Sequence, residues 1–214
     1  MASHRASRLP RKPTDQYHHG DLRRALLQAA VRTIQKHGVQ ALTLRAVGEE
    51  LGVSRSALYR HFTDKAALLG AVAREGFRML RLELLGAWQR AGKGREGFDA
   101  MGEAYVRFAL ENPWHYRMMF AGGFDPNATD PEHVEEDVDA FQVLVDALVE
   151  QQERGLVRRD DPQALAHFIW AVVHGIAMLA LDGPLQHKGA DVGELTRYAV
   201  ERLRTGIAAP GGAP

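Results

Sequence analysis

The chain has 214 residues and no cysteine, which excludes disulfides, thiolate metal sites and cysteine nucleophiles. Its 27 basic and 27 acidic residues cancel, yet residues 1–65 carry 12 Lys and Arg against five Asp and Glu. A basic first third attracts phosphate while the acidic remainder repels it, so the charge division favours one docking orientation on nucleic acid. No apolar run is expected to reach the roughly 20 residues of a membrane span.

Residues 1–16 are expected to form a disordered basic arm, because they carry Arg and Ser but lack the apolar stretch of a secretory signal. A transit peptide is the alternative. The absence of cysteine fits a reducing compartment, and we expect a cytoplasmic protein. At the other end, residues 209–214 are expected to form a disordered tail.

Helical periodicity extends through the rest of the chain, and no segment shows the sustained alternation of a β-strand. The sequence therefore predicts an all-α fold of about nine helices. The first helix is expected to run from about Asp21, its capping residue, to His37, and to end at Gly38. Its apolar face is formed by Leu22, Leu26, Ala30 and Ile34.

Residues 44–65 predict two short helices joined by a tight turn, followed by the start of another helix. Gly52 lies where the chain reverses, and glycine adopts the left-handed backbone conformation there at little cost in conformational free energy. Ser54 is the expected cap of the second short helix. The pattern indicates a helix-turn-helix, whose polar outer side suits the DNA major groove. Its inner faces are formed by Leu44, Val47, Leu51, Val53, Leu58 and Phe62.

A long fourth helix, from about Asp64 to Arg90, is expected to join this unit to the rest of the chain without a flexible linker. Residues 91–97 and 121–131 are predicted loops. The fifth helix is expected to end near Asn112, and the sixth is expected to begin at Pro113. Three further helices are expected at about Glu132–Arg154, Pro162–Leu181 and Val192–Ile207.

The segment GVSRSALYRHFTDKAALL, preceded by Thr43 and Leu44, resembles the DNA-binding domain of the TetR/AcrR family of transcriptional regulators. The resemblance extends from about Tyr17 to Val72. It departs from the family at Gly48, where the family usually has alanine; glycine there costs the helix roughly 0.5–1 kcal/mol.

Farther along, Trp170, His174 and Gly175 resemble a C-terminal domain type in which a Trp…His-Gly motif lies on one helix. The resemblance implies a helix-turn-helix DNA-binding domain over residues 17–65. It also implies a helical effector-binding and dimerisation domain over residues 66–208. Gly175 is expected to allow a close helix–helix approach, within the subunit or across a dimer.

The resemblance also implies a set of DNA contacts. Tyr59, His61 and Lys65 match positions that contact phosphate, whereas Arg45 and Arg55 are able to reach base edges. The alternative is an ordinary solvated helical face. The predicted DNA-binding residues are Thr43, Arg45, Arg55, Ser56, Ala57, Tyr59, Arg60, His61 and Lys65.

Aromatic and thioether side chains in the second half are typical of an adaptable ligand pocket, although ordinary core packing is the alternative. For His174 the alternative is a hydrogen-bonded core histidine. The loop that carries Gly122, Gly123, Pro126 and Pro131 is expected to act as a lid. The predicted ligand-binding residues are Tyr105, Trp114, Met118, Met119, Trp170 and His174.

A homodimer is expected to form through the last two long helices, as a self-complementary four-helix contact. The predicted faces are Leu165, Phe168, Ile169, Val172, Ile176 and Leu179 on one helix and Leu195, Tyr198, Ala199, Arg202 and Leu203 on the other.

The sequence contains no metal-ligand spacing, nucleophile elbow, Walker loop or dinucleotide-binding glycine pattern, so we expect neither catalysis nor a cofactor. The interpretation is a ligand-responsive DNA-binding regulator, a repressor released from a palindromic operator by a small apolar or aromatic effector. One alternative is a regulator or activator without an effector. The other is a helical enzyme fused to a helix-turn-helix.

Overall fold

A computed structural model describes residues 19–121 and 140–209, with no side-chain description for residues 19–21. Over those residues the chain forms ten α-helices and one short 3-10 helix, with no strand beyond an isolated bridge between Val157 and Ala208. The predicted all-α fold is confirmed. The predicted basic arm, the lid loop, residues 132–139 of the seventh helix and residues 210–214 of the tail lie outside the described residues.

The helices, numbered in chain order, are α1 (His19–His37), α2 (Leu44–Leu51), α3 (Arg55–His61), α4 (Lys65–Arg90), α5 (Gly94–Glu111), α6 (Pro113–Phe120), α7 (Ala140–Glu153), α8 (Pro162–Leu181), α9 (Pro184–His187) and α10 (Val192–Ile207). The 3-10 helix, Val39–Ala41, follows α1. The sequence predicted a stop where α9 forms, because Asp182-Gly183-Pro184 ends α8. Proline is also well suited to the first position of a new helix, so α9 begins at Pro184 and adds one helix to the nine that the sequence predicted.

Two helix starts differ from the prediction. Helix α1 begins at His19, so Asp21 lies inside it rather than at its cap. Helix α5 begins at Gly94 instead of after residue 97, because the reversal is complete by Lys93. The backbone N–H of Lys93 donates to the Trp88 carbonyl at 3.0 Å, and Lys93 has a positive φ of 64°.

The predicted cap of α3 at Ser54 forms, and Thr43 caps α2 in the same way. The Thr43 hydroxyl accepts from the backbone N–H of Ala46 at 3.1 Å, and the Ser54 hydroxyl accepts from that of Ala57 at 3.2 Å. Gly52 has a φ of 64°, the left-handed conformation expected at the reversal. These local bonds satisfy backbone donors that the short helices leave unpaired, and so fix where α2 and α3 begin.

The buried side chains form two clusters. The first core joins α1, α2 and α3 to residues 68–73 of α4 and also includes Met118 of α6. The second core joins Leu80, Leu84 and Trp88 of α4 to α5, α6, α7, α8 and α10. Helices α4 and α6 therefore contribute to both cores, and no flexible linker separates them.

Helix α8 is apolar on two faces. Leu165, Ile169 and Ile176 are buried in the second core, while Phe168 and Leu179 are 55% and 48% exposed. By length and composition this helix is sufficient to cross a membrane, contrary to the expectation that no such segment exists. A core helix that also carries apolar side chains on its outer face has the same length and composition.

Candidate nucleic-acid interface and effector-domain cluster

Helix α3 is held against the first core by Leu58 and by Phe62 just beyond its end, both almost fully buried. On its other side Arg55, Ser56 and Arg60 are exposed, and Tyr59 is 44% exposed. Thr43 and Arg45, at the start of α2, are exposed as well. The structure therefore brings six of the predicted DNA-binding residues to the solvent-facing side of the helix-turn-helix.

The other three predicted DNA-binding residues are half-buried. Ala57 packs against the first core, and His61 lies at the end of α3. The Lys65 ammonium donates to the carbonyls of Val39 at 2.7 Å and Gln40 at 3.4 Å. Lys65 thus ties the start of α4 to the turn after α1, a structural role that the sequence did not indicate.

Two arginines on the exposed side of the helix-turn-helix contact neighbouring side chains. The Nε of Arg45 lies 2.7 Å from Oε1 of Glu49, one helical turn later on α2. The guanidinium of Arg55 lies 5.4 Å from the centre of the Tyr59 ring, within cation–π range. These side chains line a groove of about 460 Å³ between α2 and α3. Its lining is Leu44, Arg45, Gly48, Glu49, Val53, Arg55, Leu58 and Tyr59.

A hydrogen-bonded group, here named the Tyr–Trp–His cluster, consists of Tyr105, Tyr116, Trp170 and His174. The indole N–H of Trp170 donates to the Tyr105 hydroxyl oxygen at 2.8 Å, and the Tyr116 hydroxyl donates to that oxygen at 3.1 Å. Nδ1 of His174 lies 2.8 Å from the Tyr116 hydroxyl and 3.1 Å from the Tyr105 hydroxyl. The cluster ties α5, α6 and α8 together through one polar centre inside apolar packing.

Burial sets the protonation of this cluster. Loss of water raises the pKa of Tyr105 to about 12 and raises the pKa of Tyr116 further, so both phenols stay protonated. Burial also lowers the pKa of His174, which favours the neutral imidazole. A neutral His174 protonated on Nε2 presents Nδ1 as an acceptor for a tyrosine hydroxyl.

The six predicted ligand-binding residues do not form one group. Trp114 and Met118 pack against the first core, whereas Tyr105, Met119, Trp170 and His174 belong to or border the second. On an α-helix, positions four apart share a face, so Trp114 and Met118 lie together on α6. The opposite face of α6 carries Tyr116, Met119 and Phe120.

Tyr116 and Phe120 are not among the predicted ligand-binding residues, yet both lie against His174. The Phe120 ring lies 4.5 Å from the His174 ring and 6.1 Å from the Trp170 ring, measured between centroids. The helical period of residues 113–120 is the signal that separates these two from Trp114 and Met118. The sequence also gave no role to Arg117, whose guanidinium donates to the Leu181 carbonyl at 3.0 Å, at the end of α8.

An apolar cavity of about 30 Å³ lies in the second core beside Tyr105. Such a volume holds about one water molecule and is far below that of a drug-sized ligand site. Its lining is Leu84, Phe98, Met101, Gly102, Tyr105, Leu144, Ile169, Val173, Val200 and Leu203.

The predicted dimer faces are only partly exposed. Leu165, Ile169, Ile176 and Leu203 are buried within the subunit, and Leu195, Ala199 and Val172 are half-buried. Exposed apolar area remains at Phe168, Leu179 and Tyr198, the last 61% exposed. Among the described residues, nothing lies within 4 Å of a Cβ placed at Gly175, so they make no close helix approach there. The other alternative, a close approach across a dimer, stays a prediction.

Comparison with known proteins agrees with this geometry. Residues 26–72 match the model of bacterial regulatory proteins of the tetR family, and residues 98–203 match that of the tetracyclin repressor-like C-terminal domain. The chain is similar to the transcriptional repressor AcnR of Corynebacterium efficiens, with 28% identity over 191 residues, 84% of this chain and 93% of AcnR.

Two solved structures share the architecture. A protein of unknown function from Rhodococcus sp. RHA1 is 37% identical, with a TM-score of 0.78 and coverage of 91% of this chain and 99% of its own. The SmeT–triclosan complex, 20% identical with a TM-score of 0.61, shares the fold over 88% of this chain and 92% of its own.

An exposed helix-turn-helix on a two-core helical body defines this chain as a helical DNA-binding regulator. It belongs to the TetR family of bacterial transcriptional regulators. The resemblance of the second domain to the Trp…His-Gly type stays a prediction.

Proposed function

We propose that this protein is a cytoplasmic, ligand-responsive transcriptional repressor that binds a palindromic operator as a homodimer and is released by a small apolar or aromatic effector. In this proposal the chain is not an enzyme. The proposed DNA-binding domain covers residues 17–65 and the effector-binding and dimerisation domain covers residues 66–208. The nine predicted DNA-binding residues are retained, with the exposed six making the direct contacts.

One observation carries the proposal: α6 packs against both cores with opposite faces. Trp114 and Met118 contact the first core, which supports the DNA-facing helix. Tyr116, hydrogen-bonded to His174, lies on the other face of the same two-turn helix. A shift of α6 caused by a ligand at the Tyr–Trp–His cluster would therefore be transmitted to the first core through rigid packing.

Contacts on the sides of α6 strengthen this link. Nε2 of His115 lies 3.4 Å from a carboxylate oxygen of Glu75 on α4, and Arg117 forms an ion pair of 2.9 Å with Asp182 after α8. Helix α6 is thus attached to the helix that enters the DNA-binding domain and to the helix that carries Trp170 and His174.

The effector is proposed to enter by opening the second core beside Phe120, Trp170 and His174. These three residues do not line the cavity of about 30 Å³ beside Tyr105, and that cavity is too small for an effector. The ring faces of Phe120 and Trp170 suit an aromatic or apolar molecule, and His174 supplies a polar contact. SmeT, which shares the fold, forms a complex with triclosan. A filled core without an effector remains the second candidate, favoured by the 30 Å³ volume of that cavity.

The test is selection of the binding site from random DNA, followed by titration of the selected operator at several salt concentrations. We expect steep salt dependence, and Arg55→Ala should relax specificity at one base position at a cost of about 1–3 kcal/mol. The same affinity at low and moderate salt, or full sequence preference in Arg55→Ala, would contradict the DNA-binding assignment.

A panel of small aromatic compounds, screened by thermal shift, tests the effector. A bound compound should weaken operator affinity about 5- to 150-fold, and operator DNA must weaken the compound by the same factor. A compound that binds the second domain and leaves operator affinity unchanged would contradict the switch. Turnover of a compound without DNA would favour the enzyme alternative.

A further inference from the structure

We propose that Glu49 is a positioning residue for DNA recognition, which holds the Arg45 guanidinium in the orientation that contacts a guanine. The inference rests on the proposed function, because it concerns the operator complex. It assigns a role to a negatively charged residue on the side of the domain that is proposed to face the negatively charged DNA.

The backbone that carries both side chains is well fixed. Helix α2 is capped by Thr43 and anchored by Leu44 and Val47, which are buried in the first core. From this anchored helix Arg45 and Glu49 project one turn apart, and their side chains are 86% and 64% exposed. The position of the guanidinium is therefore set by the ion pair rather than by packing.

The contact uses the part of Arg45 that a guanine does not need. Glu49 accepts from Nε of Arg45 at 2.7 Å, whereas the two terminal nitrogens make no such bond to it. Those nitrogens form a planar fork that matches the O6 and N7 acceptors of guanine in the major groove. A carboxylate on Nε thus fixes the plane of the fork and leaves both terminal groups to the base.

The pair contributes little to the stability of the free protein, since exposed ion pairs are screened by water. The pair is expected to contribute more in the DNA complex, because the groove walls exclude water and strengthen the ion pair. An arginine that is already held also loses less conformational entropy on binding. Arg45 and Glu49 both line the groove between α2 and α3, opposite the Arg55–Tyr59 pair. Both arginines are therefore held before DNA arrives.

The chain supplies a matched control in the next residue. Glu50 pairs with Arg32 of α1 at 2.8 Å and does not line the groove. Glu49→Ala and Glu50→Ala each remove one negative charge from α2, so both should raise binding to unrelated DNA by a similar factor. Only Glu49→Ala releases Arg45.

The experiment measures affinities of the full chain for the selected operator and for its single-base-pair substitutions, after circular dichroism has shown each variant to be folded. Arg45→Ala identifies the base pair that this arginine reads. At that base pair, discrimination of about 5- to 150-fold is expected in the wild type. Glu49→Ala should lower it several-fold and Glu50→Ala should leave it unchanged, while Glu49→Gln, which keeps an acceptor, should retain most of it.

The double variant Arg45→Ala/Glu49→Ala separates positioning from direct contact. If Glu49 acts through Arg45, the double variant has the base-pair preferences of Arg45→Ala. Loss of discrimination at a different base pair, or unchanged discrimination in Glu49→Ala, would overturn the inference. Failure of the wild type to prefer any operator would instead overturn the proposed function.

Discussion

At the scale of single residues, His174 is the side chain of the Tyr–Trp–His cluster whose ordinary pKa lies near neutral pH. Its pKa is lowered by burial, so the unfolded chain binds a proton at a higher pH than the folded chain does. Folding stability should therefore be complete above the ordinary histidine pKa of about 6.5 and should fall as the pH falls below it.

The measurement is the thermal unfolding midpoint of wild type and His174→Gln between pH 8 and pH 5, since the two proteins differ only at this histidine. The wild type should lose more stability on acidification than the variant. Parallel pH profiles for the two proteins would show that His174 is not linked to folding.

Gly48 lies in α2 at a position where the family resemblance predicts alanine. A Cβ there would lie 3.5 Å from Cδ1 of Leu58 and 3.8 Å from Cγ2 of Val53, which are ordinary contact distances. Gly48→Ala should therefore stabilise the protein by about 0.5–1 kcal/mol in urea unfolding, through helix propensity alone.

Gly97→Ala is the matched control, because a Cβ there would lie 2.6 Å from the Trp88 ring and 3.2 Å from the Trp88 carbonyl oxygen. The same gain in propensity is then outweighed by a steric clash, and the variant should be less stable than wild type. Destabilisation by Gly48→Ala would mean that α2 and α3 pack more closely than the structure shows.

Local features were predictable from the sequence because their partners are close in the chain. Thr43, Gly52 and Ser54 act on backbone groups within three or four residues. The bond from Lys65 to the Val39 carbonyl spans 26 residues and depends on how α4 packs beside α1. No local pattern contains that information, so the structural role of Lys65 emerges only from the fold.

At the scale of helices, α6 depends on a close approach to α4 at Gly76. A Cβ at Gly76 would lie 2.7 Å from Sδ of Met119 and 3.3 Å from Cβ of His115. Gly76→Ala should push α6 away from α4, with a net loss of stability within about 1–3 kcal/mol. Because α6 also contacts the first core, operator affinity should fall too.

Gly86→Ala, on the same helix, provides the comparison. Its Cβ would meet only the end of the flexible Arg90 side chain, at 2.6 Å, which is able to move into solvent. This variant should keep or gain stability and bind operator normally, as measured by chemical unfolding and fluorescence anisotropy. Equal operator affinity in the two variants would argue against coupling through α6.

The Tyr–Trp–His cluster shows why only part of the second domain could be predicted. Trp170 and His174 are one turn apart on α8, so their shared face follows from helical spacing. Tyr105 lies 69 residues from His174 and Tyr116 lies 58 residues away. Which tyrosines contact His174 depends on how α5 and α6 pack across α8. The periodicity of apolar residues shows which face of a helix is buried, but it does not determine where two helices cross.

At the scale of the whole molecule, α8 packs against α10, and apolar or aromatic side chains stay exposed on both helices, at Phe168 and Leu179 of α8 and at Tyr198 of α10. Phe168, Val172, Gly175 and Leu179 are spaced four, three and four residues apart, which places them along one stripe of the helix. No residue in the described part of the subunit lies within 4 Å of a Cβ placed at Gly175, which leaves room for a second helix to approach closely. These features support the proposed dimer, in which two copies of α8 and α10 pack about a two-fold axis.

Phe168→Asp and Leu179→Asp place a charge in this stripe without disturbing the buried face of α8. Each should convert the dimer into a folded monomer at micromolar concentration in sedimentation equilibrium, because burying an unpaired carboxylate in an apolar contact is costly. Leu82→Asp is the control, since Leu82 on α4 is 49% exposed, like Leu179, but lies outside the proposed contact.

The same variants connect assembly to DNA binding. One helix-turn-helix contacts too few base pairs for tight binding, so a monomer should bind the palindromic operator much more weakly than the dimer does. Leu82→Asp should remain dimeric and bind like wild type. A folded monomer of Leu179→Asp that still binds the palindrome tightly would show that the two DNA-binding domains act independently, and that α8 presents its apolar face to some other surface.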